Sequence, residues 1–393
     1  MSFHTPGHKR SGWDITELSY SDNLSSPNGC IAKAEQDLSN ILDAKQSFIL
    51  TDGSTAGVLS MLHAYKGAGY TRLAIPDFAH KSVKNGCSLL GITPTEYTAT
   101  DLAINVEVVL ENVDGILLVS PDYYGRIPDL QKIKSVCTAQ NKTLLIDGAH
   151  GGHLHFEKSL HASSVADMWV DGVHKSLPAF TQGAVVSAKT DVWAERLRES
   201  VDVFRTTSPS YPIMASVEYA VKYPRNEALE KAVKEMVNAH ARFVLSEDWT
   251  KLCLLGGKHA VAIQTELEKL GIYAEFCDGD ILMFYLSPAT KRSAVKTLIK
   301  KIQPILKKYP YIEVEHGSAP TLLPITGETE RVKLEYAKDR ICAKDCGLFP
   351  PCIPLIKAGE RVTESKLELL QNACNVFGLV DGEMTVLKKG LEE

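Results

Sequence analysis

The chain contains 393 residues, and its 43 basic and 48 acidic side chains give a formal charge of −5. This length supports about two domains with a large buried core. Its 44% hydrophobic and 23% charged residues are ordinary for a globular protein and argue against a disordered or fibrous chain.

The same composition disfavours several classes of function. The mildly acidic balance, without a block of lysine and arginine, gives no electrostatic reason to expect nucleic acid or an anionic membrane as a partner. No apolar stretch approaches the ~18 residues of a membrane-spanning helix, and the N-terminal MSFHTPGHKRSGWD lacks the apolar region of a secretory signal. The nine cysteines have no repeated close spacing and fit reduced thiols. We therefore expect a cytoplasmic protein.

The first half of the chain alternates short apolar runs with segments of helical spacing. Runs that are apolar throughout are typical of strands covered on both faces, so the alternation predicts an α/β fold with a mainly parallel sheet sandwiched by helices. In such sheets, ligands bind beyond the carboxyl ends of the strands, which makes the residues after each run the candidates for function. The runs are SFILT at 47–51, RLAI at 72–75, GILLVS at 115–120, TLLID at 143–147, MWVDG at 168–172 and GAVVSA at 183–188.

The pattern changes after about residue 212. A helical pattern dominates 213–248, and a smaller mixed region follows, with a strand-like segment at 274–287 and a helical one at 291–308. We predict two domains connected by a long helix: a large domain at 1–222 and a smaller C-terminal α/β domain at 223–393.

A candidate phosphate site follows the first strand. The segment DGSTAG at 52–57 places Gly53, Ser54 and Thr55 at the start of a helical pattern. Backbone N–H groups at a helix N-terminus, together with Ser and Thr hydroxyls, form a cradle for a phosphate. A Ser or Thr that only caps its helix would give the same pattern.

A histidine follows the second strand. His80 lies just beyond the strand end in the segment RLAIPDFAHKS at 72–82. Its imidazole could stack on a planar ligand, whereas a loop histidine bonded to nearby backbone is the commoner arrangement. The position of the strand in the sheet decides between the two.

Asp147 and Lys175 follow two further strand candidates. Lys175 lies in a turn among apolar residues, and desolvation favours the neutral amine that attacks a carbonyl to form a Schiff base. Asp147 could hold a pyridine nitrogen protonated, so that the ring accepts electrons from a carbanion. A surface lysine and a turn aspartate are the ordinary alternatives, but each of the two residues supports the functional interpretation of the other.

Three histidines at 150, 153 and 155 suggest a metal site at first sight. A helix would place only His150 and His153 on one face, and a strand only His153 and His155. The scattered cysteines of the C-terminal region contain no C-x-x-C pair. We therefore expect no metal ion.

Nine stretches together form a recognisable pattern: TPGHKRSG at 5–12, DITELSYSDNL at 14–24, DGSTAG at 52–57, HKS at 80–82, SPDYYG at 120–125, DGAHGGHLHF at 147–156, HKSLPAFTQGA at 174–184, TTSPSYPIMAS at 206–216 and LFPPCIPLIKAGE at 348–360. In this order they resemble the pyridoxal phosphate (PLP)-dependent Orn/Lys/Arg decarboxylases of fold type I, and in particular the compact members without an N-terminal wing domain. The resemblance extends over nearly the whole chain. It implies decarboxylation of arginine, lysine or ornithine to the amine and CO2, as in polyamine biosynthesis.

The resemblance also implies roles around the cofactor ring. Lys175 would bind PLP as a Schiff base, and Asp147 would pair with the pyridine nitrogen. His80 and Ala149 would pack on opposite faces of the ring. The proton donor that completes the reaction stays open between Lys175 and His174.

At the phosphate, the resemblance implies binding by Ser54 and Thr55 with help from His174. Thr206 would approach the phosphate of a partner subunit, although a turn before a helix is its ordinary alternative. We therefore expect a homodimer with its active site at the subunit interface.

The chain departs from the family pattern in its C-terminal region. The usual Tyr-Pro-Pro-Gly-Ile-Pro signature is FPPCIP at 349–354 here. This signature lies near the substrate entrance in similar proteins, so the changes bear on substrate choice more than on cofactor binding. Arginine, lysine and ornithine all stay open as substrates, as does the acidic residue that would bind the substrate side chain.

Two other functions stay open. A fold type I aminotransferase or lyase would share the lysine and the aspartate, and it commonly grips the substrate α-carboxylate with an arginine, for which Arg205 and Arg340 are available. A catalytically silent homologue would bind the cofactor without turnover. Retention of Lys175, Asp147 and His80 together argues against the silent homologue, because a binding protein has no need of a Schiff base.

Overall fold

The computed structural model describes residues 3–9, 14–18, 20–314, 322–348, 354–373 and 375–388. Most of the altered signature, residues 349–353, lies outside the described residues, as do residues 10–12 of the first family stretch. No helix in the described part of the chain is both long and apolar enough to cross a membrane.

The chain forms two compact units. The first comprises residues up to 236 together with 245–251 and 286–292, and the second comprises 237–244, 252–285 and the residues from 293 onwards. A unit defined by packing need not coincide with an independently folding domain, so the boundary after residue 222 stays a prediction.

The first unit contains a seven-stranded sheet in the order β1-β7-β6-β5-β4-β2-β3. Its strands are β1 (Gln46–Leu50), β2 (Arg72–Pro76), β3 (Thr93–Tyr97), β4 (Gly115–Val119), β5 (Thr143–Gly148), β6 (Met168–Asp171) and β7 (Ala184–Ala188). The helices up to residue 239 are α1 (Cys30–Ile41), α2 (Gly53–Gly67), α3 (Lys81–Leu90), α4 (Ala99–Ile104), α5 (Val106–Val109), α6 (Leu130–Ala139), α7 (Val173–Ser176), α8 (Asp191–Phe204), α9 (Tyr211–Val221) and α10 (Glu227–Ala239).

The direction of the strands brings several loops to one edge of this sheet. Strands β2 to β6 are parallel, β7 is antiparallel to β6, and β1 is antiparallel to β7. The carboxyl ends of β1 and of the five parallel strands therefore lie at the same edge. All six apolar runs form strands of this sheet, and the predicted fold class is confirmed.

The two faces of the sheet pack against different hydrophobic clusters. On β5, Leu144 and Ile146 belong to one cluster, while Leu145 between them belongs to the other. Each fully buried leucine contributes roughly 1.5–3 kcal/mol. Burial on both faces explains why these strands are apolar at every position.

The second unit contains a four-stranded sheet in the order β10-β11-β9-β8, and two further strand pairs, β12-β15 and β13-β14. Its strands are β8 (Phe243–Val244), β9 (Lys251–Leu255), β10 (Phe276–Cys277), β11 (Ile281–Tyr285), β12 (Thr329–Lys333), β13 (Gly347–Leu348), β14 (Val376–Phe377) and β15 (Glu383–Leu387). The helices are α11 (Ala260–Glu268), α12 (Arg292–Lys308) and α13 (Glu364–Asn372). The first residues of β9 and α12, Lys251 and Arg292, belong to the first unit.

The prediction of a long helix across 213–248 is wrong. Helix α9 ends at Val221 and α10 begins at Glu227, with Pro224 between them. Proline lacks the N–H that a helix interior requires, and it disfavours helical backbone in the residue before it. The helical pattern therefore corresponds to two helices, followed by the short strand β8.

Candidate active site

Residues from three strand ends meet at the carboxyl edge of the sheet in the first unit. Asp147 lies in β5, His80 is the N-cap of α3 after β2, and Lys175 lies in α7 after β6. The positive charge of Lys175 acts on the pKa of both Asp147 and His80. Lys175 therefore lies within electrostatic range of both Asp147 and His80 at this edge of the sheet.

The turn that leads to Lys175 packs directly against the turn after Asp147. A Cβ atom at Gly172 would lie 2.4 Å from the Ala149 carbonyl oxygen, which is closer than such atoms approach. Glycine at this position therefore lets the two turns touch. The Lys175 N–H donates to the Gly172 carbonyl at 2.9 Å, which holds the lysine in its single helical turn.

The Lys175 amine contacts a histidine that the sequence suggested only as a metal ligand. Its Nζ lies 3.3 Å from Nε2 of His150. Burial, together with the cations of Lys175 and Lys251, holds the pKa of His150 well below its usual value. The Tyr123 ring packs edge-on against His150, with the ring centroids 4.8 Å apart. A neutral His150 can accept a hydrogen bond from the Lys175 ammonium group.

Asp147 is a buried carboxylate beside this lysine. Its Oδ1 accepts the Ala149 N–H at 3.1 Å. Burial raises the pKa of Asp147, while the Lys175 cation acts in the opposite direction. A carboxylate in this position is stabilised by any further positive charge, including a protonated ring nitrogen.

His80 has an imidazole of fixed orientation. Its Nδ1 accepts the Ser82 N–H at 3.2 Å and lies 2.8 Å from the Ser82 hydroxyl. Burial, with the cations of Lys175 and Lys81 nearby, lowers the pKa of His80 to about 4. The backbone bond expected of a loop histidine is therefore present, and it leaves a neutral ring within electrostatic range of Lys175.

Helix α2 begins without a side-chain cap. Asp52 occupies the N-cap position, but its carboxylate accepts the Thr206 N–H at 3.2 Å and makes no hydrogen bond to the helix. Gly53 has φ of +75°, which favours glycine, and a Cβ atom there would meet open space. The Gly53 N–H is engaged by the Gln182 carbonyl, but the N–H groups that follow it, at Ser54 and Thr55, are available to an anion.

His174 and the start of α2 form hydrogen bonds to the adjacent residues Gly183 and Gln182. The Gly53 N–H donates to the Gln182 carbonyl at 2.9 Å. The next carbonyl, of Gly183, accepts from the His174 N–H at 3.0 Å and from its Nδ1 at 2.9 Å. Because a carbonyl only accepts, Nδ1 of His174 carries a proton. Burial lowers the pKa of His174, although the bond to Gly183 acts in the opposite direction.

Thr206 makes two hydrogen bonds to residues of the same chain. Besides the bond to Asp52, its Oγ1 accepts the Ser208 N–H at 3.1 Å. This is the turn expected before the helix that follows. The approach of Thr206 to a partner's phosphate stays a prediction.

The three clustered histidines have separate partners. Nε2 of His153 lies 2.8 Å from Oδ1 of Asp248, whereas Nδ1 of His155 donates to the Gly152 carbonyl at 2.7 Å. His150 meets Lys175. Within the described ranges, no three His, Cys, Asp or Glu side chains are arranged to hold one metal ion.

We expect His155 to make stability depend on pH. Burial lowers its pKa to about 4, against about 6.5 in the unfolded chain, although the bond to Gly152 acts in the opposite direction. Between these values the unfolded state binds more protons, so the free energy of unfolding falls as the pH falls. The loss between pH 7 and pH 5 should be about 2 kcal/mol smaller in His155→Gln, measured by urea unfolding of the ligand-free protein. An identical loss in the two proteins would contradict the assignment.

The sequence alone did not identify two features of this site. Only one feature of the sequence could have indicated the contact of His150 with Lys175, namely the position of His150 in the DGAH motif at 147–150. No feature of the sequence indicated the full burial of Lys251, because a lysine at the start of an apolar run resembles a surface residue.

Known proteins with similar sequences include an arginine decarboxylase. The Bacillus subtilis protein YaaO, described as uncharacterized, is 29% identical over 455 residues, which covers 99% of this chain and 94% of YaaO. The arginine decarboxylase of Bacillus subtilis is 24% identical over 440 residues, which covers 94% of this chain and 90% of that enzyme.

Solved structures resemble the fold at lower identity. The constitutive lysine decarboxylase of E. coli superposes with a TM-score of 0.71 at 18% identity, over 99% of this chain and 80% of that one. A high-resolution structure of SPT with PLP gives a TM-score of 0.57 at 13% identity, over 72% of this chain and 77% of that one. These similarities show the fold of the fold type I PLP enzymes.

Two family models match the chain. The model of the Orn/Lys/Arg decarboxylase major domain matches residues 7–248, and that of the Orn/Lys/Arg decarboxylase C-terminal domain matches residues 305–379. The first match alone spans more than half of the chain. The chain therefore belongs to the Orn/Lys/Arg decarboxylase family.

Proposed function

We propose that the chain catalyses the PLP-dependent decarboxylation of a basic amino acid to the corresponding amine and CO2. The observation that carries the proposal is that Lys175, Asp147 and His80 follow strand ends at the same carboxyl edge of the sheet, with Lys175 in electrostatic range of the other two. Family membership supports the class of reaction. Because the similar proteins include arginine and lysine decarboxylases, arginine, lysine and ornithine all stay in the proposal.

The described residues fit PLP group by group. Lys175 offers an amine to the aldehyde, Asp147 offers a carboxylate to the pyridine nitrogen, and the start of α2 offers N–H donors to the phosphate. A phosphate needs open space as well as donors. The uncapped start of α2 and the empty space beside Gly53 meet both requirements.

When bound, PLP supplies an electron sink for the carbanion left by the departing CO2. Asp147 would hold a proton on the pyridine nitrogen, since a buried carboxylate is stabilised by an adjacent cation. His80 would cover one face of the ring as a neutral imidazole held by Ser82. Ala149, with its single methyl group, would leave room at the opposite face.

We favour Lys175 over His174 as the group that returns a proton to the substrate carbon. Nζ of Lys175 lies 3.3 Å from Nε2 of His150, and as an ammonium group it would carry the proton that is returned. His174 has the proton of Nδ1 committed to the Gly183 carbonyl. Burial lowers the pKa of His174, so Nε2 would have to gain a second proton before it could donate one.

The two arginines that an aminotransferase could use are already engaged. Arg205 is buried, donates to the Leu24 carbonyl at 2.6 Å and lies 3.4 Å from the Glu35 carboxylate. Arg340, in the second unit, lies 2.6 Å from Glu330. These contacts disfavour either guanidinium as the group that holds a substrate α-carboxylate.

The proposal includes a homodimer in which Thr206 approaches the phosphate of the PLP bound by the partner subunit. It also includes a cytoplasmic location and a product amine that serves polyamine biosynthesis. The family resemblance of the TTSPSY segment at 206–211 supports the subunit contact, whereas the location rests on the composition and the product on the resemblance of the whole chain.

The proposal is tested by supplying PLP-loaded protein with arginine, lysine and ornithine, each labelled at the carboxyl carbon. We expect labelled CO2 and the matching amine from one of them in preference to the others. Keto-acid formation without CO2 would indicate an aminotransferase. Absence of turnover on all three would favour a catalytically silent homologue.

A further inference from the structure

Four polar side chains in the first unit form a buried cluster near the proposed site. Nζ of Lys251 lies 2.7 Å from Oδ2 of Asp248 and 3.1 Å from Oγ1 of Thr250. Nε2 of His153 lies 2.8 Å from Oδ1 of Asp248. Asp248, Thr250 and Lys251 have no exposed surface, and His153 is 2% exposed. We call these four residues the buried clamp.

The buried clamp holds the chain at two points beside Lys175. Nζ of Lys251 donates to the His150 carbonyl at 3.0 Å, which fixes the backbone of the residue that meets the Lys175 amine. The backbone N–H of His153 donates to Oγ of Ser176 at 3.2 Å, and Ser176 directly follows Lys175. One contact therefore acts at the amine end of Lys175 and the other at its backbone end.

The segment that carries the clamp is itself anchored. The Asp248 N–H donates to the Gly125 carbonyl at 3.0 Å, and the Thr250 hydroxyl donates to Oδ1 of Asp248 at 2.7 Å. Gly125 lies two residues after Tyr123, whose ring packs against His150. The clamp and the Tyr123 ring therefore both restrain His150.

Stability alone gives a weak reason for this arrangement. Removing two charges from water is costly, and apolar replacements of buried ion pairs are often neutral or stabilising. Burial by itself raises the pKa of Asp248, but His153 and Lys251 outweigh that effect and hold it well below its usual value. Burial lowers the pKa of Lys251, and Asp248 acts in the opposite direction. Asp248 is therefore ionised at neutral pH and holds the Lys251 amine at the His150 turn.

We propose that the buried clamp is a positioning device for Lys175. The inference rests on the proposed function, because it concerns the amine that would take up PLP. With His150 and Ser176 held, Nζ of Lys175 stays against Nε2 of His150. Without the clamp the amine would sample other positions, and a displacement of ~1 Å can lower a reaction rate by roughly 10²-fold.

The test uses the cofactor-free full chain with the paired substitution Lys251→Met and Asp248→Asn. Changing both residues avoids leaving one buried charge without its partner. PLP is added, samples are reduced with borohydride at timed intervals, and mass spectrometry measures the fraction of Lys175 that carries the cofactor. We expect the rate of attachment to fall roughly 10–100-fold.

The matched control is an exposed ion pair. Lys222 lies 2.7 Å from Asp37 at the surface, and the paired substitution Lys222→Met and Asp37→Asn should leave the rate of attachment unchanged. A milder variant, Thr250→Val, keeps both buried charges and the shape of the side chain. It removes the hydrogen bonds of the hydroxyl to Asp248 and Lys251 and should lower the rate roughly fivefold or more, and it serves as the test even if the double variant does not fold.

Hydrogen exchange separates positioning from a general loss of stability. In the double variant we expect faster exchange in the turns at 148–153 and 173–177, with unchanged exchange in α1. A uniform increase throughout the chain would indicate only a weakened fold and would overturn the inference.

The outcomes also separate this inference from the proposed function. If PLP attaches to Lys175 of the unchanged chain, and just as fast in folded double-variant and Thr250→Val proteins, the positioning role is wrong and the proposed function stands. If the unchanged chain takes up no PLP at Lys175, both are overturned.

Discussion

Lys175→Ala is expected to abolish PLP attachment and to lower decarboxylation on the order of 10⁴-fold or more. Alanine removes the amine that contacts His150 and acts on the pKa of Asp147 and His80. Without it there is no nucleophile at the point where these groups meet. The measurements are the visible absorbance of the PLP-loaded protein, borohydride trapping, and release of labelled CO2.

A surface lysine provides the control for this prediction. Lys189 pairs with Asp43 at 2.8 Å on the exposed side of the first unit. Lys189→Ala removes an identical amine and should retain full absorbance and activity. If Lys175→Ala kept more than a tenth of the activity of the unchanged chain, Lys175 would not be the attachment residue.

For Asp147→Asn, we expect kcat to fall by roughly 10²–10³-fold while PLP still attaches to Lys175. Asparagine preserves the shape of the side chain, and its carbonyl oxygen can still accept the Ala149 N–H. It carries no charge, however, and cannot hold a proton on the pyridine nitrogen. The visible band should therefore remain while the turnover number falls.

KM separates a loss of chemistry from a loss of substrate binding. Because Asp147 would act on the ring and not on the substrate side chain, KM should change little in Asp147→Asn. Asp43→Asn, at an exposed carboxylate paired with Lys189, is the matched control and should leave kcat unchanged. A kcat within threefold of the unchanged chain would show that Asp147 is not paired with the pyridine nitrogen.

These two variants test the cofactor site more than the identity of the reaction. An aminotransferase would also depend on Lys175 and Asp147, so both variants would lose activity in that case. The substrates labelled at the carboxyl carbon make the distinction, because only decarboxylation releases that carbon as CO2.

The central sheet could be predicted from the sequence because its strands are buried on both faces. Leu144, Leu145 and Ile146 are all fully buried, so the strand appears as an uninterrupted apolar run. The edge strand β3 was not predicted, because Thr93–Tyr97 is polar and largely exposed. It is recognised as a strand only by its hydrogen bonds to β2.

The region after residue 212 was predicted less accurately. A periodic pattern of apolar residues gives the face of a helix but not its continuity. Pro224 interrupts that pattern between α9 and α10, and its lack of an N–H group decides the break.

The sequence by itself determined six of the seven strands of the sheet, the family resemblance and the position of Asp147, Lys175 and His80 at strand ends. It could do so because the ends of parallel strands converge on one edge, so that position along the chain implies position in space. Only the tertiary structure decided that Lys251 donates to the His150 carbonyl across 101 residues of chain. That contact depends on a segment returning to the first unit and being fully buried there, and no local pattern of residues encodes such a return.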